Sequence, residues 1–180
     1  MKNSTARFSA LTITLHWFMF VLIVAVYACK ELRSFFPKGS EIRDIMLQGH
    51  FMLGVTVLLF VVIRLIARFS QPYPPIIPSP NPIQDKLAKV MLLALYVFMI
   101  AMPILGYLTL NAMGKAVPFF GMELPIMIEK DKQLAHTLGE IHEFGANAGY
   151  VLIGLHTAAG LFHHYIQKDN TLMRMLPWGK

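Results

Sequence analysis

Charged side chains are missing from four long stretches of this chain: Phe8 to Cys29, Ile45 to Ile63, Val90 to Gly114 and Phe144 to Gln167, of 22, 19, 25 and 24 residues. A helix needs about 20 apolar residues to cross a hydrocarbon core, and a helix satisfies its own backbone polar groups there. The pattern predicts an all-α, integral membrane four-helix bundle, with residues 1–180 forming a single transmembrane domain whose core is the bundle interior. The first stretch follows Lys2 and Arg7 as a signal peptide would. It exceeds the usual apolar length of about 7–15 residues, and Cys29-Lys30-Glu31 is no small-residue cleavage site, so it reads as a retained helix.

Between the second and third stretches, six prolines fall within positions 72–82. They exclude helix and predict a stiff, polyproline-like strap across one face of the bundle. Such a run is also an SH3-type ligand in other settings, but confinement between two membrane helices favours the strap. The segment from Val117 to Gln133, with Pro118, Gly121, Pro125 and mixed charges, is the longer connection on the opposite face.

Composition agrees with the pattern: 56% of residues are hydrophobic, 14% are charged and mean hydropathy is +0.54. Four spans put both termini on one side. With the termini inside, the inner segments hold nine of the 16 Lys and Arg residues, including Lys2, Arg64, Arg68 and Lys180. This majority predicts cytoplasmic termini. The formal charge of +6 suits anionic lipid and needs no nucleic acid, for which no stacking or RNA-binding motif is present.

Four histidines, His16, His50, His142 and His156, lie within or at the edges of the apolar stretches. Imidazole in hydrocarbon is costly and marks a functional site with a partner, and imidazole is a common axial ligand of haem iron. His142 and His156 are separated by about 21 Å of helical rise and an angular offset of about 40°, so they share one side of the fourth helix near opposite membrane faces. Gly149 lies midway, near Gly145 and Ala146, and this small-residue stripe is expected to let flat macrocycles approach the backbone. Depth pairs His16 with His156 on the inner side and His50 with His142 on the outer side. Two bis-histidine haems stacked across the membrane would form an electron-transfer wire.

Cys29 is the one cysteine and lies outside any Cys-x-x-Cys-His sequence, so any haem is non-covalent. Arg64 and Arg68, one turn apart, suit haem propionates or lipid phosphate. His163 and His164 read as interfacial groups or as contacts to quinone or propionate, and His136 belongs with the outer loop with its role open. A haem-free transporter or anchor, its histidines binding protons or a metal, is the alternative from a different class.

The chain resembles the bacterial cytochrome b561 family. The resemblance lies in Leu15-His16-Trp17, Glu31-Leu32-Arg33-Ser34-Phe35-Phe36-Pro37, the proline strap, Gly154-Leu155-His156, and the run from His163 to Leu172 with Arg174-Met175. It implies a di-haem inner-membrane cytochrome with two non-covalent haems b. The family's axial histidines match His16, His50, His142 and His156. It also implies superoxide:ubiquinone oxidoreduction, with periplasmic superoxide as donor and ubiquinone as acceptor. The runner-up is a haem b subunit that links a partner dehydrogenase or hydrogenase to the quinone pool. Lys30, Arg33, Lys38, Arg43, Lys115, Lys130 and Lys132 are candidates for steering the superoxide anion, opposed by eight acidic residues on the same side.

Overall fold

The computed structural model describes residues 7–178. Lys2 and Lys180, counted above among the inner charges, lie outside them. Four long helices dominate: α1 (Ala10–Leu32), α2 (Glu41–Phe69), α3 (Pro82–Ala112) and α4 (Lys132–Phe162). α2 packs against α1 and α3, and α4 packs against α3. The outward faces carry exposed apolar side chains such as Phe18, Val21, Leu59, Val62, Leu93 and Val97. A helix surface of this kind belongs against lipid rather than water.

Among the described residues, α1 with its short 3₁₀ extension, α2 and α3 are both long and apolar enough to cross a membrane. α4 matches α3 in length but is less apolar, because Asn147, His156 and the glycines at 145, 149, 154 and 160 dilute its leucines and valines. Its bounds also differ from the expected 144–167. The Asp131 carboxylate accepts hydrogen bonds from the backbone N–H groups of Gln133 and Leu134, which starts the helix well before the apolar run. At the other end the backbone widens into a π-helical turn over His163–Gln167 and is turned back by Lys168 in the left-handed region.

The strap between α2 and α3 is free of helix, as its prolines predict. α3 then starts at Pro82, behind an Asn81 and Gln84 capping box. The opposite connection holds an unforeseen β-hairpin, β1 (Val117–Phe119) and β2 (Met122–Leu124), with Val117 opposite Leu124. Its two-residue turn places Phe120 (φ 46°) and Gly121 (φ 85°) at positive φ, the geometry that matches strand twist. Asn111 is fully buried beneath this connection; it donates to the Lys115 carbonyl and accepts from the Met127 N–H.

Both described ends of the chain meet at the strap. The Trp17 indole donates to the Met175 carbonyl at 2.8 Å, and Arg7 donates to the Leu176 carbonyl. Arg174, only 2% exposed, donates to the Pro74 carbonyl and lies 5.0 Å from the centre of the Tyr73 ring. Arg68 stacks on the same ring at 4.4 Å. Asn170 accepts from the Ile77 N–H, which ties the C-terminal segment to the strap.

Beside Asn170, His163 Nδ1 donates to the Asp169 carboxylate at 2.5 Å. Burial pushes the Asp169 carboxyl up, but hydrogen bonds from His163 and Thr171 outweigh it and hold the group below its ordinary range. A depressed carboxylate stabilises the fold above its unfolded value of about 3.9, and that contribution is lost as pH falls through the lower folded value. Asp169→Asn should therefore lower the thermal midpoint of the detergent-solubilised protein at pH 7, with the gap to the parent narrowing as pH falls below about 3.9. A gap that does not narrow at all over that fall would show that the loss is one of shape rather than charge.

Candidate haem-binding site

The bundle interior is incompletely filled. Met19, Leu22, Val57, Val61 and Met99 form a buried cluster at mid-height, and a cavity lies on either side of it. The hairpin-side cavity has a volume of about 1170 Å³ and contains His50 and His142. The strap-side cavity, about 410 Å³, contains His16 and His156. Ile23, Tyr27, Phe98, Met99 and Tyr150 line both and form the wall between them.

Within each cavity the two imidazoles face one another from different helices. The ring centres of His16 (α1) and His156 (α4) are 6.2 Å apart, and so are those of His50 (α2) and His142 (α4). A metal–imidazole nitrogen bond is about 2.0 Å. With roughly 1.1 Å more from nitrogen to ring centre, two rings on opposite sides of one metal place their centres about 6.2 Å apart. Both pairs therefore fit a bis-imidazole metal. The distance also falls within the range of edge-to-face ring contacts; what sets these two pairs apart is that each joins histidines of different helices inside a cavity.

Local partners orient the rings. His50 Nδ1 donates to the Val26 carbonyl at 3.1 Å, which leaves Nε2 as the nitrogen with a free lone pair. His142 Nδ1 is buried without a hydrogen bond, facing the Met102 backbone without completing one. His142 reaches this position because Gly106 of α3 has no side chain; a β-carbon there would stand 3.1 Å from its ring. His16 Nδ1 accepts from an Arg64 guanidinium nitrogen at 3.0 Å, which puts the proton of the neutral ring on Nε2; ligation through Nε2 would move that proton to Nδ1 and turn the guanidinium away from it.

The other candidates divide cleanly. Arg64 lines the strap-side cavity, whereas Arg68 is taken up by Tyr73 and Phe8 and lines neither cavity. Lys30, Arg33 and Lys115 line the hairpin-side cavity together with Glu31, Glu123 and Glu143; Lys38, Arg43, Lys130 and Lys132 do not. Arg43 donates to the Arg33 and Phe36 carbonyls. His136 pairs with Glu140 at 3.4 Å on the surface, and His163 and His164 lie outside both cavities.

The small-residue stripe of α4 does something other than expected. Gly149 faces the Tyr27 hydroxyl and the Phe98 ring, and Gly145 faces the Met102 sulfur, so the chain's own side chains occupy the space foreseen for macrocycles. Tyr27 donates to the Ala146 carbonyl at 2.7 Å, and Tyr150 donates to Glu31 at 3.1 Å, bridging α1 and α4 where the helices themselves scarcely touch. Sequence reading missed this aromatic wall. Its signal was two tyrosines inside apolar stretches, one of them adjoining Gly149. Gly149→Ala should cost about 1–3 kcal/mol by overpacking, read as a lower thermal midpoint, whereas Gly160→Ala, with open space around it and outside both cavities, should not lower it; equal effects would contradict the wall.

Against known proteins, residues 7–178 match the family model described as prokaryotic cytochrome b561. The chain is 40% identical over 171 residues to cytochrome b561 homolog 1 of Escherichia coli (strain K12), covering 95% of this chain and 97% of that protein. It is 37% identical to a probable superoxide oxidase CybB of Yersinia pestis, at 95% and 96% coverage. It is 29% identical to cytochrome b561 homolog 2 of E. coli (strain K12), at 97% and 93%. A membrane-type helical bundle that presents opposed imidazoles in two interior cavities is consistent with these relationships, and the chain belongs to the prokaryotic cytochrome b561 family, whose members carry b-type haem.

Proposed function

We propose that this chain is a superoxide:ubiquinone oxidoreductase of the bacterial inner membrane, acting as one di-haem domain. His16 and His156 would hold one non-covalent haem b, and His50 and His142 the other. Two opposed imidazole pairs at the same 6.2 Å separation carry this proposal. When bound, the haems would supply one-electron exchange, and the four histidines would be the residues that hold them.

The reaction balances as two superoxide anions each losing one electron to leave as dioxygen, while ubiquinone takes two electrons and two protons to become ubiquinol. The protein's own contribution is placement. The Val26 carbonyl holds His50 in the tautomer that ligates, Gly106 makes room for His142, and the Tyr27, Phe98 and Tyr150 wall separates the two cavities. Lys30, Arg33 and Lys115 stand at the hairpin-side cavity, where they would attract a small anion. The three glutamates beside them confine that attraction to short range. With the hairpin end toward the periplasm, the strap and both termini lie on the cytoplasmic side. The Yersinia pestis relative named a probable superoxide oxidase supports the choice of donor.

The purified protein should show two b-type haems per chain in a reduced-minus-oxidised spectrum. A superoxide pulse should reduce them and added ubiquinone should reoxidise them. His142→Ala should remove one haem and keep the other; retention of both would refute the ligand set. Two haems indifferent to superoxide would instead point to a cytochrome fed by a partner dehydrogenase or hydrogenase, and an absence of haem would sink both readings.

A further inference from the structure

The two cavities differ in charge. Of the residues lining the strap-side cavity, Arg64 is the single permanently charged one, and no carboxylate lines it. Among the described residues the ion pairs are Lys89–Asp85, His136–Glu140 and His163–Asp169, none of which involves Arg64. Its guanidinium instead donates to His16 Nδ1 at 3.0 Å and lies 5.8 Å from the centre of the Tyr96 ring. The hairpin-side cavity sets Lys30, Arg33 and Lys115 against Glu31, Glu123 and Glu143, an even balance. There the histidine partner is a carbonyl, that of Val26 on His50.

These differences act in one direction on an iron held by each pair. A haem b brings two propionates of its own, and whether Arg64 pairs with them or not, its positive charge near the iron disfavours the oxidised, more positive iron relative to a neutral residue in its place. Donation of an imidazole N–H to a carbonyl raises the basicity of the ligand and favours the oxidised iron. Building on the two-haem reading above, we infer that Arg64 is a positioning residue for charge: it sets the haem of His16 and His156 at the higher potential. Electrons then run from the hairpin end toward the strap end. The gradient is built into the protein and does not depend on which donor or quinone is present.

The test is a spectroscopic redox titration of the haem-loaded protein as wild type, Arg64→Gln and Arg64→Lys, repeated in a His142→Ala background that keeps the strap-side haem alone. At an effective dielectric of about 20, a unit charge several ångströms away shifts the reduction equilibrium tenfold or more. In Arg64→Gln the strap-side midpoint should fall by that factor, about 59 mV for a one-electron couple, with the hairpin-side midpoint unmoved. Arg64→Lys should restore most of it. An unchanged strap-side midpoint with both haems present overturns the inference and leaves the two-haem reading intact. An upward shift also overturns it, since Arg64 would then be acting by drawing the proton off His16. Loss of the strap-side haem in Arg64→Gln but not in Arg64→Lys reassigns the residue to cofactor retention. A wild-type protein without two haems overturns both.

Discussion

Everything in this bundle answers to the cost of placing four imidazoles inside an apolar solvent. An isolated polar ring in hydrocarbon is expensive, and the chain meets that cost by bringing the rings together in pairs and giving each a local partner where the backbone or a side chain can reach. His50 uses a carbonyl of α1 and His16 a guanidinium of α2. His142 leaves one nitrogen unsatisfied. The interior consequently departs from the close packing of a soluble core: five side chains form a plug at mid-height, and space remains above and below it.

That space explains why α1 and α4 stay apart. Helices that packed along their whole length would close the cavities, so the seam is bridged by side chains: Tyr27 to Ala146, Tyr150 to Glu31, and the two tyrosine rings 4.4 Å apart. Gly149 is what admits these rings. The wall between the cavities and the bridge across the seam are therefore one construction, and a single small residue on α4 serves both.

Much of this was legible in the sequence, for identifiable reasons. Exclusion of charge over about 20 residues is a strong signal with few competing explanations, so the helices were found, as was the strap with its dense prolines. Helix ends were less legible. The Asp131 cap lies among charges, where hydropathy carries no information, and the π-helical turn after Phe162 has no compositional mark. The hairpin was hidden because Phe, which rarely adopts positive φ, occupies the first turn position. Fourteen-residue spacing placed His142 and His156 on one face of α4 correctly, but periodicity gives direction and not occupancy, so it could not reveal that Gly149 receives tyrosine and phenylalanine. Arg64 and Arg68 look equivalent in sequence, one turn apart; depth separates them, since Arg64 sits level with a cavity and Arg68 level with the strap.

The strap end also shows why Arg64 keeps its charge uncompensated. Only two acidic residues, Asp85 and Asp169, belong to that half of the chain's connections. Asp85 is bound to Lys89 one turn away on α3, and Asp169 is held by His163 and by the backbone of Thr171. Two other cations at this end are taken up by aromatic rings and a carbonyl, Arg68 by Tyr73 and Arg174 by Tyr73 and Pro74. Both carboxylates thus have partners other than Arg64, Asp85 within α3 and Asp169 within the C-terminal segment. What remains facing the strap-side cavity is one guanidinium with a histidine for a neighbour, a charge difference between the two ends that follows from how the ends are closed.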